Sequence, residues 1–423
     1  MLTLYPGNWL YNASVIGFLI SVKEIENLSN HFSFKEDGSV VIDQNIFKQL
    51  KIEERYYEKK VASIIGKSSF HINYLQYGED WKEVFRLFVK NLANIKEVDE
   101  SMSCDFCGRK FAFSDTDIKD MQRKMIRCVI NRHKREKNNI EKANKRQINN
   151  TNNVKNSSKE IPYSKIFKIL SMKDKQIEVN YKKMKETLGK FLNGIKKFDM
   201  RHNALLAPSL GEFPNSFCNN ADSLYICPLC AYLILHYHVC MTDLADGLKM
   251  FVNAPSFEVM WHLNEYVQTI YKRERISRTK ELLGMSLIEM ALKLNIQLGK
   301  WTMMNIEIVT LYNKKVDFFS ILYETTVLLS NREIATLLND IGELSILSFV
   351  LNNDFSKIME LGERILKISL LNYSVEKLKQ NDKEFVKENI KLQKNIDNLT
   401  NLSYKLFKLY ALIEEKIKRE VFV

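Results

Sequence analysis

The sequence CDFCGRKF at Cys104–Phe111 and the sequence SLYICPLCAYLILHYH at Ser223–His238 carry the pattern that decides how this chain is organised. Each contains two cysteines separated by two residues, a spacing that lets both thiolates of a pair turn back onto one metal ion. Two such pairs complete the tetrahedral sulfur shell that zinc accepts in structural sites. The pattern predicts one shared zinc site whose two pairs are separated by 119 residues, with the ligands Cys104, Cys107, Cys227 and Cys230.

The residues beside the cysteines indicate the local geometry of this predicted site. Gly108 follows Cys107 and suits a tight knuckle turn, whereas Pro228 is predicted to stand just inside the start of a helix. A knuckle plus a second pair at a helix N-terminus is typical of a treble-clef arrangement, whose helix dipole favours thiolate charge. A closed shell of four thiolates leaves no position for a substrate, so the zinc is predicted to be structural and the chain not to be an enzyme.

The residues alone leave two other interpretations of the cysteines open, namely unrelated buried thiols and a redox pair. The long insertion does not exclude the shared site, because the entropic cost of closing a loop rises only with the logarithm of its length. Cys128, Cys218 and Cys240 are predicted to be small buried apolar residues. His236 and His238 follow Cys230 on the predicted helix, and packing is favoured over metal ligation for both.

The charge of the chain is concentrated in one segment. The 423 residues are 45% hydrophobic and carry a formal net charge of +12 at pH 7. Residues 131–201 hold 20 basic and 7 acidic residues, so the rest of the chain is close to neutral. A local basic block in an otherwise neutral protein indicates a polyanionic partner, with a solvated charged surface as the alternative.

Composition also argues against several classes of protein. The longest apolar stretches, at Val15–Val22 and Leu229–Met241, are too short or too interrupted by histidine to span a bilayer, so no membrane association is predicted. The N-terminal sequence lacks the basic region and cleavage site of a secretory signal. Seven cysteines, four of them in CxxC pairs, suit a reducing compartment, which predicts a cytoplasmic location.

Glycine and proline usage predicts a helical C-terminal part. All six prolines lie at or before Pro255, and the residues beyond it are free to form helices. Residues 256–423 are therefore predicted to be a helical bundle, with a candidate strand at Met304–Tyr312 where apolar positions alternate. Apolar residues recur there at helical spacing, at Leu399, Leu402, Leu406, Leu409, Ile413 and Ile417.

The remaining sequence predicts a mixed first part, so the overall class is mainly α with an α+β N-terminal domain. Residues 1–100 are predicted to form this domain, with a hairpin at Phe32–Ile42 that turns at Glu36-Asp37-Gly38. Residues 101–255 form the predicted zinc-binding region with the basic insertion 131–201, in which Asn138–Glu160 is predicted to be a mobile loop. Helices are predicted at Trp9–Ile25, Ile52–Ile65 and Trp81–Ile95, and from Ile118 to about Lys137.

Five blocks of this sequence resemble, in order, the CRISPR-associated CXXC-CXXC family, which supplies the large subunit of the type I-B Cascade surveillance complex. The blocks extend over the first 264 residues, and beyond them the chain is similar to the family only in its helical character. They are YPGNWLYNASVIGFL (Tyr5–Leu19), CDFCGRKF, LAPSLGEFPNSF (Leu206–Phe217), SLYICPLCAYLILHYH and FVNAPSFEVMWHLN (Phe251–Asn264).

This resemblance implies a role inside a ribonucleoprotein. The large subunit of such a complex lies beside the 5′ end of the guide RNA, next to the subunit that caps the guide's handle and the Cascade backbone. It examines the protospacer-adjacent motif on target double-stranded DNA, helps open the duplex and recruits a helicase-nuclease. Its helical C-terminal part corresponds to the small subunit, which can also arise by internal translation. Candidate internal starts are Met285, Met290, Met303 and Met304.

In RNA-guided recognition, base pairing with the guide reads most of the target sequence. The protein recognises only a short motif and the shape of the nucleic-acid backbone, and it therefore needs Lys and Arg side chains near the phosphates. The basic insertion fits this need, and Asn149, Asn150, Asn152 and Asn153 are candidates near bases, although a solvated loop is the favoured interpretation of the asparagines. The candidate nucleic-acid contacts are Arg132, Lys134, Arg135, Lys137, Lys145, Arg146, Lys182, Lys183, Lys196 and Lys197.

Two other functions compete with this interpretation. Asp199-Met-Arg201-His202-Asn203 and His262-Leu-Asn264 offer His and Asn of the kind that zinc-dependent HNH nucleases use, but their spacing does not match such a site. No phosphate-binding GxxxxGK[ST] loop and no GxSxG elbow occurs in the sequence. The other alternative is a zinc-stabilised RNA-binding protein that acts alone.

Overall fold

The computed structural model describes residues 1–25, 29–50, 79–99, 102–130, 175–199, 202, 223–244, 247–274, 278–293, 302, 304–312, 315–371, 378–390 and 396–421. Within these ranges the chain is mainly helical with small sheets, which confirms the predicted fold class. The predicted helix at Ile52–Ile65 and the predicted loop at Asn138–Glu160 lie outside them.

The N-terminal half of the chain mixes short strands with helices. The predicted helices at Trp9–Ile25 and Trp81–Ile95 and the predicted hairpin are confirmed, and the helix predicted from Ile118 begins at residue 115. The elements are β1 (Leu2–Leu4), α1 (Trp9–Ile25), β2 (Phe32–Phe34), β3 (Val40–Ile42), α2 (Ile46–Gln49), α3 (Glu79–Asn91), β4 (Lys96–Glu97), β5 (Phe111–Ala112), α4 (115–130) and α5 (Lys175–Gly194). Strands β1, β3 and β2 form one sheet in that order, and β4 pairs with β5.

The C-terminal half begins at the second cysteine pair. Its elements are α6 (Pro228–Leu233), α7 (Tyr237–Cys240), β6 (Thr242–Asp243), β7 (Lys249–Asn253), α8 (Phe257–Glu274), α9 (Thr279–Lys293), β8 (Glu307–Tyr312), β9 (Lys315–Ser320), α10 (Tyr323–Ser330), α11 (Arg332–Ile341), α12 (Leu344–Leu351), α13 (Phe355–Leu371), α14 (Gln380–Asn389) and α15 (Ile396–Val421). A 3-10 turn at Ile234–His236 joins α6 to α7, so the helix predicted after Cys230 is interrupted once.

The chain forms two compact units that are each discontinuous in sequence. The first unit consists of Met1–Leu2, Phe18–Phe32 and Val41–Val239, and the second unit of Thr3–Gly17, Ser33–Val40 and Cys240–Val423. This division differs from the three predicted domains at 1–100, 101–255 and 256–423. Strand β7, which precedes Pro255, pairs along its whole length with β8.

Aromatic packing forms the core of the first unit. The ring of Phe18 stacks on that of Phe47 with centroids 5.7 Å apart, and Tyr232 contacts both rings edge-on. Phe88 of α3 meets Phe191 of α5 at 5.0 Å, which holds these two helices together. Burial of such rings is the largest single contribution that a side chain makes to a core. The second cysteine pair thus begins a helix whose Tyr232 lies inside this core.

The second unit contains a four-stranded antiparallel sheet and most of the helices. The strand order is β6-β7-β8-β9, so the candidate strand at Met304–Tyr312 is confirmed as β8, while the other three strands of the sheet were not predicted. Helix α9 packs against α8, α10, α11 and α12, and α13 packs against α15. Gly362 allows the close approach of α13 and α15, because a Cβ there would lie 3.0 Å from the Phe407 ring.

The N-terminal block YPGNWLYN forms a turn that packs into the second unit. The Asn8 side chain accepts the Tyr11 N–H at 3.0 Å and so caps α1. The Asn12 amide exchanges hydrogen bonds with Gly7 and donates to the Asn253 side chain at 2.8 Å. Tyr11 is only 2% exposed. The block therefore forms a turn of the core of the second unit, whereas Leu206–Phe217 lies outside the described residues.

Gly38 fixes the β2–β3 hairpin turn in a conformation that few other residues adopt. Its φ is +81°, and its carbonyl accepts the Phe257 N–H at 2.9 Å, so the turn lies directly on the start of α8. A Cβ added at Gly38 would lie 2.7 Å from the backbone oxygen of Pro255. The position therefore excludes a side chain for both conformational and steric reasons.

Replacing Gly38 by alanine is expected to lower the free energy of unfolding of the second unit by about 3 kcal/mol, because the methyl group would collide with fixed backbone. Gly247→Ala is the matched control, since Gly247 also has positive φ (+76°) but nothing lies within 4 Å of its Cβ position. That variant should lose only about 1 kcal/mol. Denaturant unfolding of both variants measures the difference, and equal losses would contradict the steric argument.

Candidate metal centre

The first cysteine pair lies on a knuckle that extends the β4–β5 ladder. Beyond the paired strands, the Val98 N–H donates to Lys110 O and the Cys104 N–H donates to Arg109 O, both at 3.0 Å. Gly108, with φ +67°, donates its N–H to Cys104 O at 2.8 Å and reverses the chain. The predicted glycine knuckle is therefore confirmed, and it directs the Cys104 and Cys107 sulfurs to the same place.

An exposed ion pair ties the knuckle to β4. The Arg109 guanidinium donates to both carboxylate oxygens of Glu97, and this hydrogen bonding lowers the pKa of that carboxyl. The same guanidinium lies 5.3 Å from the Phe111 ring centroid. The pair stabilises the arm that carries the knuckle, although exposed ion pairs contribute little to stability individually.

The second cysteine pair lies at the N-terminus of α6. Cys227 is its N-cap residue, Pro228 occupies the first turn, and the Cys230 N–H donates to the Cys227 sulfur at 3.5 Å. Proline suits this position because the first N–H groups of a helix have no partner inside the helix. The remaining N–H groups and the helix dipole favour negative charge on the sulfurs.

Backbone pairing joins the two cysteine segments directly. The Asp105 N–H donates to Tyr225 O at 2.9 Å, and the Tyr225 N–H donates to the Asp105 carboxylate at 2.6 Å. The Cys227 N–H donates to the Cys104 sulfur at 3.3 Å. Residues more than 100 positions apart are thus aligned by three hydrogen bonds, independently of any ion.

The four sulfurs form one cluster. Those of Cys104, Cys107, Cys227 and Cys230 all lie within 4.8 Å of one another, so the predicted shared site is confirmed as a group that can hold a metal ion. The Cys107 and Cys227 sulfurs are 3.8 Å apart. Tetrahedral ligation at a metal–sulfur distance of about 2.3 Å places sulfurs roughly 3.8 Å apart, so this donor set fits such an ion. The alternative of unrelated buried cysteines is thereby excluded.

Burial and hydrogen bonding shift the pKa values of the cysteines in this cluster in opposite directions. Cys104, Cys227 and Cys230 are buried and Cys107 is half-buried. Burial raises the pKa of the Cys227 and Cys230 thiols well above the usual value, whereas hydrogen bonds from Cys107 and the other thiols lower that of Cys104. The Cys227 and Cys230 thiols therefore favour the protonated form when no ion is bound. A metal ion would release their protons, so its affinity should fall as the pH falls.

The neighbouring histidines and cysteines have structural roles. His236 is 3% exposed and contacts the rings of Phe18 and Tyr232 at 5.4 and 5.0 Å, so the predicted packing role is confirmed. Cys240 is buried, as predicted, and its sulfur donates to Ala13 O at 3.2 Å. The prediction that Cys128 is fully buried is wrong, because its side chain is only half-buried, near Glu83. Cys218 lies outside the described residues.

His236 is expected to make the first unit sensitive to acid. Burial lowers the pKa of His236 to about 4, whereas an unfolded histidine titrates near 6.5. Between these values the unfolded chain binds a proton that the folded chain does not, so the free energy of unfolding falls as the pH falls through this window. The contribution of this one group is about 3 kcal/mol.

A His236→Phe variant should lose that part of the pH dependence while keeping a ring in the aromatic core. Unfolding is measured at neutral pH and near pH 4.5 with both proteins at equal metal loading, since acid also protonates the cysteines. Tyr232→Phe is the matched control, because it alters the same ring cluster without removing a group that titrates in this range. Parallel profiles for His236→Phe and the unchanged protein would contradict the assignment.

The structure describes only part of the predicted nucleic-acid surface. Arg132, Lys134, Arg135, Lys137, Lys145 and Arg146 lie outside the described residues, as do the four candidate asparagines. Lys182 and Lys183 are exposed on α5, and Lys196 and Lys197 are exposed just after it. Sequence reasoning missed Lys185 and Lys190, which are exposed on the same helix. Their helical spacing from Lys182 is the signal that would have found them.

Two of the candidate nuclease residues, Asn264 and His202, are buried and bonded to the backbone. The Asn264 side chain is fully buried, accepts the Val252 N–H at 2.8 Å, and donates to Val252 O and Met260 O. His202 is 2% exposed and its Nδ1 accepts the Asp199 N–H at 3.3 Å. Asn264 belongs to the second unit, whereas Asp199 and His202 belong to the first. Arg201 and Asn203 lie outside the described residues.

Fold and site together define a mainly helical protein with a four-cysteine centre that can hold a metal ion. Comparison of the chain with models of protein families, with curated proteins and with solved structures returns no match. None of the helices described is long and apolar enough to cross a membrane.

Proposed function

We propose that this chain is the non-catalytic large subunit of a type I-B CRISPR surveillance complex, with structural zinc in its four-cysteine centre. The observation that carries the proposal is that the sulfur atoms of both CxxC motifs lie together in one cluster. These motifs belong to the five sequence blocks that resemble the CRISPR-associated CXXC-CXXC family. A common site explains why two motifs separated by 119 residues occur in one chain.

The donor set supports zinc in particular. Zinc commonly occupies tetrahedral sites made of four thiolates, with ligand spacings of the CxxC type. Softer sulfur ligands disfavour magnesium and calcium, which take oxygen donors. A four-thiolate shell offers no position for water or substrate, so its contribution is to hold the knuckle and the α6 N-terminus together.

In the proposed complex the chain examines the protospacer-adjacent motif on target duplex DNA and supports opening of the duplex at that point. Base pairing with the guide RNA then supplies the sequence specificity. The other partners are the backbone and handle-capping subunits, the small subunit and the helicase-nuclease that target binding recruits. The basic segment 131–201 supplies phosphate contacts, and the complex acts in the cytoplasm.

The strand pairing in the second unit shows which elements each candidate internal translation product would lack. A fragment that begins at Met285 or Met290 would start inside α9, and one that begins at Met303 or Met304 would lack α9 altogether. Each fragment would also lack β7, whose five residues pair with β8. A small subunit made in this way therefore needs another element to cover the exposed edge of β8.

Co-purification tests the proposed function. The tagged chain, expressed with its genomic neighbours, should bring down a guide RNA and the backbone subunits in fixed proportion. The matched control is the Cys104→Ser, Cys227→Ser variant, which should recover fewer partners because the first unit loses its metal. Duplexes with randomised bases beside the target should then bind in a motif-dependent manner.

Other outcomes would favour the competing functions. A chain that comes down alone with heterogeneous RNA would support a stand-alone RNA-binding protein and contradict the proposal. Metal-dependent cleavage of labelled DNA by the purified chain, abolished in a His202→Ala variant, would support a nuclease instead.

A further inference from the structure

Helix α5 carries several exposed lysines on the part of its surface that faces away from its buried residues. Met184, Leu188 and Phe191 are buried, which places them against the interior of the first unit. The exposed lysines of α5, together with Lys196 two residues after its end, are here called the lysine face. Its members are Lys182, Lys183, Lys185, Lys190 and Lys196.

The charges of the lysine face are not neutralised by neighbouring acids. Within the part of the chain that the structure describes, none of its five lysines forms an ion pair. Glu186 lies one helical turn from both Lys182 and Lys190, and the only other acid on the exposed side of α5 among the described side chains is Glu178. Among the described residues the face therefore keeps a net positive charge.

Backbone contacts attach the end of this face to the metal centre. The Ile226 N–H donates to Lys196 O at 2.9 Å, and the Phe198 N–H donates to Leu224 O at 2.8 Å. Lys197 and Tyr225 form an antiparallel bridge between these bonds. The segment paired with Lys196–Phe198 thus runs directly into Cys227.

The first cysteine pair reaches the same segment from the other side. Phe106, between Cys104 and Cys107, packs edge-on against Phe198 with ring centroids 4.9 Å apart. Tyr225 pairs with Asp105 as well as with Lys197. Both halves of the four-cysteine centre therefore hold the chain where α5 ends, and an ion in that centre would fix its direction.

We infer that the lysine face binds the phosphate backbone of a nucleic acid and that metal in the four-cysteine centre positions it, so that nucleic-acid affinity depends on metal occupancy. The inference deepens the proposed function, on which it rests for the presence of a nucleic acid in the complex. Lysine is depleted in protein–protein interfaces, which argues against an acidic protein as the partner. Lys182 and Lys190 are about 12 Å apart along the helix, which spans several phosphates of one strand.

The lysine arm of the test removes four charges from the face. The variant Lys182→Gln, Lys183→Gln, Lys185→Gln, Lys190→Gln should bind a labelled DNA duplex of arbitrary sequence roughly 10- to 100-fold more weakly at low salt. Its affinity should also depend less on salt, with a log–log slope smaller by about 3. The same measurement with a labelled single-stranded RNA shows which nucleic acid the face prefers.

A matched control removes the same charge from exposed positions of the second unit. Its substitutions are Lys280→Gln, Lys367→Gln, Lys387→Gln and Lys408→Gln. This control should keep the affinity and the salt slope of the unchanged chain. Equal losses in both variants, or no loss in either, would overturn the assignment of the lysine face.

The second arm of the test removes the metal and asks whether nucleic-acid affinity depends on metal occupancy. Removing the metal with a chelator should weaken duplex binding by the unchanged chain and speed hydrogen exchange at the Phe198 and Ile226 amides. It should have little further effect on the four-lysine variant, because residues that act through one another do not give additive losses. Faster hydrogen exchange with unchanged duplex affinity would overturn the coupling. Exchange rates at these amides that stay the same after metal removal would also overturn it.

A second variant covers the case in which metal removal unfolds the whole first unit. Asp105→Ala removes the acceptor of the Tyr225 N–H but keeps all four sulfurs, whereas Asp105→Asn retains an acceptor oxygen. Asp105→Ala should retain the metal, exchange the Ile226 amide faster and bind the duplex more weakly, and Asp105→Asn should restore binding. Exchange at Phe88 of α3 reports global unfolding. Unchanged duplex affinity in Asp105→Ala would overturn the coupling.

The two proposals can fail separately. If no guide RNA or backbone subunit co-purifies while the isolated chain binds duplex through the lysine face, the proposed function fails and the inference holds. If the complex assembles but the four-lysine variant binds like the control, the inference alone is overturned.

Discussion

A chain that carries Cys104→Ser and Cys227→Ser is expected to lose its metal and with it the cooperative folding of the first unit. The unchanged chain should contain close to one zinc per molecule by elemental analysis, and the variant close to none. Structural zinc contributes roughly 10 kcal/mol or more of apparent binding free energy at neutral pH. That is comparable to the whole stability of a typical domain, about 5 to 15 kcal/mol.

The variant takes one sulfur from each pair, so neither half can form the shell alone. Its effect should be largest where both cysteine segments meet, at the amides of Asp105, Tyr225 and Cys227, which should exchange rapidly with solvent. The four-stranded sheet lies in the second unit and should keep its protection.

Cys128→Ser serves as the control for this experiment, because Cys128 is a half-buried cysteine of the same unit outside the sulfur cluster. It should retain the metal and lose little stability. Full metal retention by the double variant would contradict a shared centre. A metal other than zinc in the unchanged chain would contradict only the proposed identity of the ion.

Asn264→Ala is expected to cost the second unit about 4 kcal/mol, the largest loss from any single polar side chain considered. Asn264 is fully buried in α8, and its amide satisfies both the N–H and the C=O of Val252 in the middle of β7. Alanine would leave two buried backbone groups without partners, each of which costs about 1 to 3 kcal/mol. Denaturant unfolding measures the loss.

Asn389→Ala is the matched control, since the Asn389 side chain is only half-buried and makes a single hydrogen bond to Phe385 O, at 2.9 Å. It should lose about 1 kcal/mol or less. Similar losses for the two variants would contradict a structural clamp at Asn264. The comparison also addresses the nuclease alternative, because a clamp residue is occupied by the backbone and is not available to a phosphate.

Features of this chain that depend on neighbouring residues could be predicted from the sequence. Gly108 and Pro228 indicated a knuckle and a helix start because the conformations they favour are set by their own backbone. The spacing of the cysteines indicated the site because ligand geometry is local within each pair. Helix α1 and the β2–β3 hairpin followed from apolar periodicity and a turn sequence.

Features that depend on distant pairing could not be predicted in this way. Strand β9 is exposed along most of its length and lacks an alternating pattern, so only its pairing with β8 identifies it. The second unit recruits Asn12, which bonds to Asn253 across 241 positions of sequence. No local signal in the sequence records such a contact.

The separation of the two cysteine pairs also sets the order in which the molecule can be built during synthesis. At about 5 to 20 residues per second, a ribosome needs roughly ten seconds to travel from Cys107 to Cys227. During that interval the nascent chain offers only a two-sulfur site, which binds a metal ion far less tightly than four ligands do. An ion bound by all four sulfurs would therefore join the polypeptide late and complete the first unit instead of nucleating it.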